Sequence, residues 1–222
     1  MKHQNIKIFK KGSKHKMKQP ASNHFAIHYE KPSAIWQLSE QLLSAIPFDD
    51  EKLTFCCIGT DRSTGDSLGP IVGSYLKSSF NFPFKIVGTL EHPLHALNIE
   101  QTVTDLQKTN PYLVAIDACL GEEKSVGLIV MNDGPIYPGK AVKKQLPPIG
   151  NTAIKGVVNV GGFMEAAILQ NTRLHVTQTM SSIIAKAILL AWQRYLLNIK
   201  HNYDNDRNNE NSWQQIGYTN FR

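Results

Sequence analysis

The sequence predicts an α/β protein: a mostly parallel sheet covered by helices on both faces. Three observations carry that expectation. Short apolar runs at residues 53–58, 84–90, 112–116, 126–131 and 154–160 read as strands, and the runs ending near Ile58 and Ile116 are apolar enough to be buried on both faces. Helical patterns fall between several of them, at 68–79, 97–108 and 163–170. Such alternation argues for parallel strands joined by covering helices. Two of the strands also run directly into acid-bearing segments, and ligands in open α/β sheets bind outside the carboxyl ends of the strands.

Taken in order, a lysine-rich segment at residues 1–24 precedes a single domain expected over 25–199, and an Asn-rich polar tail is expected over 200–222. Ala34, Ile35 and Trp36 open a helical pattern that passes through Leu42 and Leu43 to Ile46, where Pro47 ends it. The last helix begins near Val176 and is expected to end near Leu197. Its stripe of Val176, Met180, Ile183, Ile184, Ala187, Ile188, Ala191, Trp192 and Tyr195 reads as core. The Pro- and Gly-punctuated stretch 131–151 reads as a long surface excursion, of the length that tends to be functional.

With 222 residues and 41% hydrophobic content, the chain suffices for one domain with a real core. No apolar run approaches the roughly 20 residues of a membrane span, so no membrane is expected. Cys56, Cys57 and Cys119 form no C-x-x-C pair, which argues against a disulfide framework or a structural zinc and fits a reducing cytoplasm. The net charge of +6 is misleading. Seven lysines and no acid fall in residues 1–19, which leaves the body near neutral. That segment reads as a solvated extension, and nucleic acid is not an expected partner.

Two aspartates carry most of the functional information. Asp66 lies in the turn from Gly59 to Pro70, ahead of a helix, where a side-chain N-cap is the simplest role for it. The turn is longer than a cap requires. It also carries Asp61, Arg62, Ser63 and Thr64, suited to positioning a substrate, and it lacks the glycine and lysine spacing of a phosphate loop. Asp117 follows the apolar run 112–116 and emerges beside Ala118, Cys119, Leu120 and Gly121. A close carboxyl pair shares one proton across neutral pH, so one member can activate water while the other polarises a carbonyl. Glu91 and His92 follow another strand and are expected on the same rim. With the aspartates they offer an alternative divalent-metal site, though without a tight ligand spacing. A nucleophilic Cys119 is disfavoured because no electropositive neighbour is adjacent in sequence, and His95 and His175 read as ordinary helix or surface residues.

The motifs Gly-Asp-Ser-Leu-Gly-Pro at 65–70, Gly-Thr-Leu-Glu-His-Pro-Leu-His at 88–95 and Ala-Ile-Asp-Ala-Cys-Leu-Gly at 115–121, with Val-Gly-Gly-Phe-Met-Glu at 160–165, resemble the YyaC-type sporulation proteins of spore-forming Firmicutes. That family is similar to the spore germination protease and to the hydrogenase maturation proteases. The resemblance implies a three-layer α/β/α sandwich in which Asp66 and Asp117 match the catalytic aspartates of the germination protease. The maturation proteases use the same two places plus a histidine to bind metal, and Asn159 stands near that histidine's position here. No metal or other cofactor is therefore expected, and Asn159 is taken as a substrate-binding candidate with Asp61, Arg62, Glu91 and His92. The implied activity is that of a sporulation-associated endopeptidase in the cytoplasm of the sporulating cell or forespore, with small acid-soluble spore proteins as candidate substrates. The alternative is an inactive relative that binds a peptide or partner. The sequence leaves oligomeric state open.

Overall fold

The computed structural model describes residues 24–109, 111–138 and 147–218, with side chains of the final helix described as far as His201. Its elements are β1 (His24–His28), α1 (Ala34–Ala45), β2 (Thr54–Cys57), α2 (Leu68–Ser78), β3 (Lys85–Val87), α3 (Ile99–Gln107), β4 (Leu113–Gly121), β5 (Leu128–Asp133), β6 (Thr152–Val160), α4 (Glu165–Gln170) and α5 (Leu174–Tyr218). Six strands form one sheet in the order β1-β5-β6-β4-β2-β3. Strands β3, β2, β4 and β6 are mutually parallel, while β5 runs antiparallel to both β6 and β1.

The period-2 geometry of strands divides the core. Phe55 and Cys57 of β2, Val114 and Ile116 of β4 and Ile154 of β6 face α1, α2 and α5, whose buried residues include Leu38, Leu42, Val72, Leu76, Ile184 and Ile188. Cys56, Ile58, Leu113, Ala115 and Ala153 face the other way, onto Ile99, Val103 and Leu106 of α3 and onto Ile136 and Ile149. Helices thus cover both faces of a mixed, mostly parallel sheet, making the three-layer α/β/α sandwich. The excursion after β5 is pinned at its base, where Ile136 and Ile149 form an antiparallel bridge; residues 139–146 lie outside the described residues.

Several boundaries differ from the sequence reading. β1 was not expected; it is an edge strand in which Ile27 is its one fully buried residue. β4 continues five residues beyond Ile116, because β6 pairs with it as far as Gly121 across a register shift at Cys119/Leu120. α5 does not stop near Leu197 but continues as helix to Tyr218. No proline or glycine interrupts the chain between Leu174 and Asn211, so nothing local breaks it. Contrary to the expectation of no span-like segment, Leu174–His201 is long and apolar enough to cross a membrane by length and composition. Its apolar side, including Met180, Ile184, Ala187, Ile188 and Ala191, is buried against the sheet layer. Residues 1–23, which hold the seven lysines, lie outside the described residues.

Candidate active site

The site begins where β2 ends. β2 pairs with β4 only as far as Cys57 opposite Ile116, whereas β4 and β6 continue, so Asp117 is the first β4 residue past the last paired position of β2. The sheet has a step there, and the turn between β2 and α2 packs into it. Two glycines permit this folding. Gly59 adopts φ of +135°, and a Cβ on it would overlap the Asp66 backbone oxygen; a Cβ on Gly69 would overlap the Ile58 backbone oxygen. The Thr60 N–H donates to the Asp66 carbonyl at 3.2 Å, closing the turn.

Asp66 lies inside a single 3₁₀ turn, Gly65–Ser67, rather than at a cap. Ser67 occupies the α2 N-cap, and neither that helix nor the 3₁₀ turn has a side-chain cap hydrogen bond. Pro70 falls among the first α2 residues, whose N–H groups have no intrahelical partner in any case. The capping role that competes for Asp66 is thus absent, and its carboxyl is left to the cavity.

Asp66 and Asp117 together line two adjoining cavities that also share Pro138 and Leu169. The larger, about 380 Å³, adds Ala118, Cys119, Leu120, Tyr137, Lys155 and Glu165. The smaller, about 200 Å³, adds Gly59, Thr60, Ser63, His95, Ile99 and Ala166. The aspartates therefore stand at the waist of one cleft, between a charged end and a more apolar one.

Burial raises both carboxyls. For Asp66, desolvation outweighs the Thr60 backbone N–H and the His95 ring, which both favour the ionised form. Asp117 is pushed well above the usual carboxylate range, first by desolvation and then by the charge of Asp66, against the Ala118 N–H and Lys155. The repulsion weighs on Asp117 because the two titrate in sequence: Asp66 ionises while Asp117 still holds its proton, and Asp117 must then ionise beside an existing charge. A singly protonated pair therefore separates the two steps. Cys119 is no nucleophile in this setting, since burial and then the Asp117 charge push its thiol up to about 11.

Other candidates fall outside the cleft lining. Glu91 and His92 are exposed; Glu91 lies 3.6 Å from Lys77 Nζ and 3.8 Å from His92 Nε2. Arg62 is exposed, and Asp61 borders a separate groove against α2 and the start of α5. Asn159 is committed elsewhere, donating from Nδ2 to Thr172 Oγ1 at 3.2 Å and accepting the Val160 N–H at 2.8 Å, in a shallow pocket beside Phe163 and Met164. Among the described residues, no three His, Cys, Asp or Glu side chains gather closely enough to hold a metal ion.

Two cleft residues escaped sequence reasoning. His95, taken there as an ordinary residue, lines the Asp66 end; its Nδ1 accepts the Leu97 N–H at 3.3 Å, which assigns the proton of the neutral ring to Nε2. Lys155, opposite Asp117 in the β4–β6 register, lines the other end. A lysine inside an interior strand was a visible signal, but only the register ties it to Asp117.

The fold is that of a three-layer α/β protein with two buried carboxyls on one cleft. The chain belongs to the family described as protein of unknown function DUF1256, which it matches over residues 26–187. It is 48% identical over 148 residues to the uncharacterized protein YyaC of Bacillus subtilis (strain 168), a match spanning 64% of this chain and 72% of that protein. Among solved structures, it is similar to a NiFe hydrogenase maturation protease, HycI from Thermococcus kodakarensis KOD1. There the identity is 15% and the TM-score 0.43, with 67% of this chain and 98% of that one covered.

Proposed function

We propose that this protein is a peptidase whose Asp66–Asp117 pair hydrolyses peptide bonds during spore formation or germination. One observation carries the reading: two carboxyls from different elements, neither spent on a cap, line one cleft, and burial raises both, Asp117 further through the charge of Asp66, which favours a state with one proton on the pair. In that state the ionised member takes a proton from water as its oxygen attacks the scissile carbonyl carbon. The protonated member donates a hydrogen bond to the carbonyl oxygen as charge develops there, and when the tetrahedral species collapses the C=O re-forms, the C–N bond breaks and the amine leaves with the proton first taken from water. The germination-protease resemblance of the Asp66 turn points to small acid-soluble spore proteins as substrates, in the cytoplasm of the sporulating cell.

The full-length protein and its D66N and D117N variants, incubated with such spore proteins and analysed by mass spectrometry for new termini, provide the test. Each variant is expected to remain folded and to lose at least about 10²-fold in cleavage rate. Undiminished cleavage by both variants would remove the mechanism. If the parent itself yields no new termini while retaining the protein on a column, the cleft binds without cutting.

A further inference from the structure

We infer that Lys155 is the cation that stabilises the substrate oxyanion, fixing which way the scissile carbonyl lies in the cleft. This rests on the peptidase reading and assigns the two ends of the cleft.

Lys155 sits in the middle of β6, an interior strand, between Val130 of β5 and Asp117 of β4. Its strand neighbours Ala153, Ile154, Gly156 and Val157 are all buried. An apolar residue is the ordinary occupant of such a position, because desolvating an ammonium is costly unless an acid pairs with it. Among the described residues no carboxylate lies within 4.0 Å of its amine. The side chain instead lines the larger cavity beside Asp117, with Glu165 also on the lining. A lysine placed in a central strand, half-buried and without a close ion pair, is available to a group that enters the cavity.

The geometry gives that group a place. Asp117 and Lys155 occupy paired positions on parallel strands, so their side chains emerge on the same side of the sheet, with backbones about 4.8 Å apart. Asp66 is approached from the other end by His95. A peptide bond across the waist would present its carbonyl oxygen to Asp117 and Lys155 while water lies on Asp66. As the C–O π bond opens, the oxygen gains charge within reach of the ammonium, and preorganised donors of that kind act on the transition state more than on the bound substrate.

The test compares full-length parent, K155M and K155R on the peptide the parent cleaves, with steady-state kinetics. It adds binding of a phosphinate peptide of the same sequence, whose tetrahedral P–O⁻ group mimics the oxyanion. K155M is expected to lose about 10²- to 10³-fold in kcat with KM within a few-fold of the parent. Phosphinate binding should weaken by a similar factor, and K155R should recover part of both. A purely structural role would not separate phosphinate from substrate binding. If K155M does not fold, K155Q and K155R carry the same comparison. A kcat within about threefold of the parent, or an effect confined to KM, overturns the oxyanion role and leaves the peptidase reading intact. A parent that cleaves nothing overturns both.

Discussion

Replacing Asp117 by Asn should make the protein more stable at neutral pH, by an amount that disappears on acidification. Burial and the Asp66 charge both hold the folded Asp117 carboxyl well above its unfolded value. Between those two values the native state binds a proton that the unfolded chain has released, so stability falls as pH rises. The stabilising contribution of the protonated group is complete below the unfolded pKa near 4 and is lost upward through the folded one. One proton fixes the maximum slope at about 1.4 kcal/mol per pH unit. Asp117 lines the cleft rather than a closed core, so the total stays below what full burial would give. Asparagine has nearly the same shape, and its side-chain oxygen can accept the Ala118 N–H, yet it never ionises. Urea unfolding of parent and D117N at half-unit steps from pH 4.5 to 8 should show a gap that opens in favour of the variant and reaches at least about 1 kcal/mol by pH 7. A pH-independent difference would mean that Asp117 titrates as an ordinary surface acid, and the shared-proton pair would be lost with it.

The site should fail equally when its turn is disturbed rather than its acids. Gly59→Ala forces a side chain into a left-handed backbone position against the Asp66 carbonyl, so a loss of about 1–3 kcal/mol in urea unfolding is expected; a variant as stable as the parent would refute the account of the turn. Cys119, with its thiol pushed up to about 11, should react with iodoacetamide at pH 7.5 about 10²-fold more slowly than a free cysteine, and rapid labelling by mass spectrometry would show that the carboxylate beside it is screened.

The layers were legible because buried parallel strands announce themselves as continuous apolar runs, and β2 shows this with all four of its residues buried. Asp117 was legible as an acid directly after such a run, although β4 continues past it and it emerges at the step where β2 ends, and Asp66 was legible from the length of its turn. What stayed hidden depends on pairing. β1 alternates too briefly to stand out, and β4 beyond Asp117 is held as a strand by β6 rather than by apolar residues. His95 and Lys155 reach the cleft from segments whose local patterns say nothing about a distant carboxylate. The rim residues Glu91 and His92 follow their strand as expected, yet β3 is an edge strand separated from β4 by β2, so the first part of the loop stays outside and only from Leu94, which bridges to Ile58, does it reach the cleft with His95.

The cleft is drawn from six stretches in chain order: the turn around Asp66, residues 95–99, the β4 segment from Asp117, residues 135–138, Lys155 on β6, and α4. A ribosome synthesises them one after another, and a domain folds as a unit once its parts have emerged. Until α4 has left the exit tunnel, the growing chain has its acids but an incomplete wall around them. Whatever the cleft binds therefore meets a complete site only after α4 has been made, near the end of the domain.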